Sequence, residues 1–217
     1  MNHDDKIKIL QDVIRLKTEN DHETLVAEYY QQLLKTYGIE SKLIEYKPGR
    51  SNLIAEIKGN KPGKILAYNG HMDVVAATNP EEWTYDPFGA EIVDGKMYGR
   101  GTTDMKAGLT AMVLAFIEIK QSNRDFSGTL RLVASIGEEI GMYGSKQLTD
   151  EGYLDDIDAL VIGEPPGKSA IVTAHKGSVE YEVISHRKAA HSSIMWTLCQ
   201  GHLKKDSHET SNKYCSL

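Results

Sequence analysis

The sequence predicts an α/β fold: an open, mostly parallel sheet flanked by helices. Three observations carry this. Segments with helical spacing of apolar residues, early in the chain and again over 105–120, alternate with runs of strand length. Two purely apolar runs, Ile65-Leu66-Ala67-Tyr68 and Ala159-Leu160-Val161-Ile162, read as buried strands. Together with an alternating run over 129–136, they lead directly into Gly70-His71-Met72-Asp73, Gly137-Glu138-Glu139 and Gly163-Glu164-Pro165. The carboxyl ends of strands are where open α/β sheets hold their ligands, so the same device used three times outweighs any single motif.

Taken in order, Ile7, Leu10, Val13 and Ile14 define a first helix ending near Thr18. Leu25, Val26, Tyr29, Tyr30, Leu33, Leu34 and Tyr37 define a second, with Asn20 or Asp21 as its cap and Gly38 as its stop. Runs over 39–46 and 52–57, separated by Pro48-Gly49, predict neighbouring strands, and Lys61-Pro62-Gly63 a turn into the strand before His71. Turn residues and scattered aromatics make 78–98 a long surface loop with a hairpin, suited to a pocket rim. Leu109, Met112, Val113, Phe116 and Ile117 share one face of a third helix, which places Asp104 at its amino terminus. Residues 169–185 are again strand-like.

Composition narrows the function. With 217 residues, 40% of them hydrophobic, the chain can bury a sizeable core. A net charge of -6 leaves no basic stripe for phosphates, so nucleic acid is not an expected partner. The longest apolar stretch, around Leu109 to Ile117, is too short to span a bilayer, and the charged start is unlike a signal peptide. A cytoplasmic location without membrane association is the expectation. Cys199 and Cys215, the only cysteines, lie in the last twenty residues, so no disulfide framework shapes the body. Gly99-Arg100-Gly101 matches neither dinucleotide nor phosphate-loop spacing.

If His71, Asp73, Glu138, Glu139 and Glu164 converge, one imidazole and several carboxylates share a crevice. Like charges so close raise one another's cost of ionisation, and a divalent metal, or two, resolves that.

With Gly99-Arg100-Gly101-Thr102-Thr103-Asp104-Met105-Lys106-Ala107-Gly108 and Ala189-Ala190-His191-Ser192-Ser193, five motifs stand in the order found in the M20 metallopeptidase and deacylase family, which the chain resembles. The resemblance implies a zinc-exopeptidase-like catalytic domain over 1–176, the start of an α+β lid domain over 177–193, and an unmatched, disordered or frame-shifted tail over 194–217. It implies two divalent ions, zinc or else cobalt: His71, Asp104 and Glu164 hold one, while Asp104 and Glu139 reach the other. That second site stays incomplete, because the family's terminal histidine ligand has no counterpart. Asp73 would accept the hydrogen bond of the other His71 nitrogen. Glu138 would be the general base, and His191 a donor to the substrate oxyanion, reaching across a homodimer in full-length members. The peptide after Asp104 would be cis. The implied substrates are N-acyl amino acids, of the succinyl-diaminopimelate desuccinylase or acetylornithine deacetylase type, with hydrolysis impaired by truncation. Dipeptidase or carboxypeptidase activity and a non-catalytic metal-binding fragment are the alternatives.

Overall fold

The computed structural model describes residues 1–165 and 170–174, nearly all within one compact unit, Met1–Val172. The predicted lid start, the tail and His191 lie outside the described residues.

Helix α1 (His3–Arg15) opens on a capping box in which Asn2 and Asp5 each accept the other's main-chain N–H, at 2.8 and 3.0 Å. Its apolar stripe, Ile9, Val13 and Ile14, is buried. It ends at Arg15 rather than near Thr18, and the freed carbonyls of Val13 and Leu16 accept from the buried Lys106 ammonium at 3.1 and 2.6 Å. Thr18 is instead buried against the sheet, its hydroxyl donating to the Met72 carbonyl.

Helix α2 (Thr24–Thr36) buries Val26, Ala27, Tyr30 and Leu34. Neither Asn20 nor Asp21 caps it: Asn20 and His22 sit at positive φ, and the cap position falls to Glu23, whose side chain makes no bond to its own helix.

Strands β1 (Ser41–Lys47), β2 (Arg50–Lys58), β3 (Lys61–His71), β6 (Ser127–Ser135) and β7 (Ala159–Ile162) form one sheet in the order β1-β2-β6-β3-β7. The sheet is mixed. Pairs β1·β2 and β2·β6 are antiparallel, whereas β3 runs parallel to β6 and to β7. The parallel half follows from the helical crossovers that join these strands, since parallel neighbours need long connections. Lys61-Pro62-Gly63, expected as a turn, is already strand, with an irregularity between Lys61 and Ile65. The 78–98 loop carries the expected hairpin, β4 (Glu91–Val93) with β5 (Lys96–Tyr98).

Helices α1 and α2 with α3 (Lys106–Ser122) cover one sheet face, and the core there includes Tyr30, Leu53, Leu109, Phe116 and Leu132. Alternation along β6 sends Leu130, Leu132 and Ala134 to this core and Val133 to a smaller one on the other face, with Ile44 and with Leu148 of α4 (Tyr143–Asp150). Strand β7 departs from expectation. Among the described residues it pairs only with β3 and lies at the sheet edge, with Leu160, Val161 and Ile162 about half exposed.

Candidate metal centre

Because β3, β6 and β7 run parallel, their carboxyl ends open on one edge of the sheet. His71 closes β3, with Asp73 two residues on; Glu138 and Glu139 follow β6; Glu164 follows β7. Asp104 stands just before α3, and the Asp104–Met105 peptide is cis. Close packing of α3 on the sheet brings Asp104 to the other acids. At Gly108 a Cβ would lie 2.2 Å from the Gly163 carbonyl oxygen, so only glycine lets the helix approach the end of β7.

His71 is the hub, and its side chain is almost wholly buried. Nδ1 lies 2.9 Å from the main-chain carbonyl of Asp73, which accepts its proton; the nearer carboxylate oxygen of Asp73 is 3.6 Å away, beyond hydrogen-bond reach. The bond expected for the Asp73 carboxylate therefore goes to the same residue's main chain, and the carboxylate acts on the ring through its charge. Nε2 faces the open side: Asp104 Oδ1 is at 3.1 Å, Glu164 Oε1 at 3.5 Å and Glu138 Oε2 at 3.8 Å. Ligand atoms of His71, Asp104 and Glu139 all lie within 4.8 Å of one another.

Charge is unevenly compensated. Burial opposes a charged His71 ring, but Asp73, then Glu164 and Glu138, outweigh it and push its pKa up to about 9. Burial first, then the neighbouring Asp104 and Glu138 carboxylates, raises Glu164 to about 7 and moves Glu139 upward too. Asp73 moves down: burial works against its charge, but His71 and the amides of Glu138 and Glu139 favour it. Among the described residues no lysine or arginine pairs with Asp104, Glu138, Glu139 or Glu164. One imidazole ringed by acids that repel one another is a donor set that fits a divalent cation.

Two further charged residues border the site that no sequence motif singles out. Glu23 and Arg50 form a buried ion pair beside the Glu138-Glu139 turn. Nothing local distinguishes them from surface charges at a helix start and a strand start. The 78–98 loop, as expected of a rim, lines a cavity of about 610 Å³ with Trp83, Tyr85 and Tyr98, and the Arg100 guanidinium lies 5.2 Å from the centre of the Trp83 ring.

A mixed α/β sheet whose parallel edge gathers a histidine and several carboxylates defines a class of possible metal-binding domains. Within that class the chain belongs to peptidase family M20/M25/M40, whose description matches residues 67–209. It is 51% identical over 194 residues to a probable succinyl-diaminopimelate desuccinylase of Staphylococcus epidermidis, covering 89% of this chain and 47% of that one. A Staphylococcus aureus protein with the same description is 49% identical over 190 residues, 88% of this chain and 46% of that one. The chain thus spans about half the length of these curated relatives. Among solved structures, an M20 family metallo-carboxypeptidase from Sulfolobus solfataricus superposes with a TM-score of 0.65 at 23% identity, over 75% of this chain and 37% of that one. A dinuclear metal-binding M20 peptidase of Bacillus subtilis gives 0.58 at 22%, over 74% and 42%. These likenesses establish the fold. No helix among the described residues is long and apolar enough to cross a membrane.

Proposed function

We propose that this chain carries the metal centre of a hydrolase that cleaves amide bonds in N-acyl amino acids, with an N-succinyl amino acid as the substrate class. The observation that carries the reading is the convergence of His71, Asp104 and Glu139 ligand atoms within 4.8 Å, from three separate stretches of chain. The half-length identity to probable succinyl-diaminopimelate desuccinylases supports the acyl group.

His71 offers Nε2, and Asp104 and Glu164 each offer an oxygen close to it. Asp104 with Glu139 forms the remaining acidic wall, a partial second site. When bound, a divalent metal supplies Lewis acidity, polarising a carbonyl oxygen and making water more acidic. Glu138 is the general base. Its carboxylate is about two-fifths exposed and faces the same opening, so it can take a proton from the attacking water and deliver it to the leaving nitrogen. Water adds to the carbonyl carbon, the C–N bond breaks, and the products are a carboxylic acid and an amine. Asp73 holds rather than reacts: its oxygens accept the main-chain N–H groups of Glu138 and Glu139, both at 3.1 Å.

Isothermal titration of the chelator-stripped chain with zinc tests the centre. Saturable binding, lost in His71→Ala, is expected; a chain that takes up no zinc or cobalt overturns the reading. A screen of N-succinyl and N-acetyl amino acids and dipeptides with added zinc or cobalt then tests the substrate class. Preference for a dipeptide would move the assignment to the peptidase branch.

A further inference from the structure

The Glu23–Arg50 pair lies behind the metal centre rather than in it. Glu23 is fully buried and Arg50 is 2% exposed. Arg50 Nε donates to Glu23 Oε2 at 2.8 Å, and Nη2 donates to Glu23 Oε1. That same Oε1 accepts the main-chain N–H of Gly137 at 3.2 Å, and the next two N–H groups, of Glu138 and Glu139, go to the Asp73 carboxylate. Three consecutive amides are thus gripped by two buried carboxylates, one at the start of α2 and one beyond the end of β3. One residue earlier, the Ile136 N–H donates to Asn52 Oδ1 at 3.0 Å, and its carbonyl accepts from Gly144 at 2.9 Å.

The guanidinium also walls the turn. Gly137 has φ +62°, and a Cβ there would meet Arg50 Nη2 at 2.8 Å and Tyr143 Cδ2 at 2.9 Å. Arg50 lies over the Tyr143 ring, 5.8 Å from its centre. A buried ion pair contributes little net stability, because removing both charges from water offsets their attraction. A bidentate guanidinium–carboxylate contact does fix orientation, and here its spare acceptor capacity points at the turn bearing Glu138 and Glu139.

We infer that Glu23 and Arg50 are positioning residues that set the direction of the Glu138 and Glu139 side chains by fixing the amide of Gly137. The inference rests on the metal-centre reading. Outer residues that orient ligands typically change metal affinity about 10–100-fold when lost.

The test uses the 217-residue chain, with zinc titration and amide hydrogen exchange on wild type, Glu23→Gln, Arg50→Lys and the control Arg131→Met. The control removes a side chain of β6 that pairs with Glu56 of β2 and with Asp156 beyond α4, away from the turn. Glu23→Gln and Arg50→Lys are expected to weaken zinc binding by about 10–100-fold and to speed exchange at residues 137–139 above that of Leu132 and Ala134. Arg131→Met is expected to lower Tm while leaving both readouts at wild-type values. Loss of Tm in the two site variants with zinc affinity and local exchange unchanged would overturn the inference. Should neither variant fold, the metal-free wild type decides: amides 137–139 are expected to exchange far more slowly than the exposed turn amide of Gly95, and equal rates sink the proposal. A wild type that binds no zinc would instead sink the metal centre, while the exchange comparison still reads the positioning.

Discussion

At the scale of single residues, the proposed centre separates groups that hold from groups that react. Asp73→Asn keeps the size of the side chain but turns one of its two acceptors into a donor facing an N–H. Zinc affinity is expected to fall about 10–100-fold, measured by titration; an unchanged affinity would remove Asp73 from the positioning role. Glu138→Gln has the opposite signature. Its side chain lies farther from His71 Nε2 than those of Asp104 and Glu164, so zinc binding should persist. Whatever zinc-dependent turnover the chain shows should drop by about 10²–10⁴, the usual worth of a general base. Loss of zinc binding in that variant would make Glu138 a ligand instead.

At the scale of elements, the site depends on how α3 and β6 pack. Gly108→Ala places a methyl group against the Gly163 carbonyl, which must push α3 away from the end of β7. A cost of about 1–3 kcal/mol in denaturant unfolding is expected, as for other overpacked positions, together with weaker zinc binding because Asp104 moves with the helix. Leu132→Ala acts differently. Leu132 is fully buried on β6, so a cavity costing about 2–5 kcal/mol is expected, read as a lowered midpoint. The outer edge of β7 has its own consequence: among the described residues only β3 pairs with it, and Leu160, Val161 and Ile162 are about half exposed. Val161→Lys should reduce concentration-dependent association in size-exclusion chromatography, and unchanged association would place the sticky surface elsewhere.

At the scale of the whole molecule, the proposed ligands His71, Asp104 and Glu164 come from the end of β3, the start of α3 and the end of β7, so one ion held there would tie separate parts of the fold together. An ion that binds only the folded chain stabilises it by mass action, about 2.7 kcal/mol at a hundredfold excess over Kd. For a chain of this size that is roughly 5–10 °C in Tm. Zinc should therefore raise Tm by this order in the wild type and not in His71→Ala; an equal rise in both would place binding outside the centre.

Much of this was legible in the chain itself. Apolar periods of two and of three to four residues marked the helices and strands, and glycine-flanked acidic motifs at strand ends marked His71, Asp73, Glu138, Glu139 and Glu164, because those patterns arise from local backbone geometry. What local pattern does not encode was left to the tertiary structure. Helix α1 stops at Arg15 because a lysine 90 residues later takes its carbonyls. The charge at the start of α2 turns away from its own helix because Arg50 and Gly137 meet it from the sheet. Strand β7 reads as buried but lies at an edge of the sheet formed by the described residues, since pairing order is set by which strands meet, and an apolar run carries no record of its neighbours.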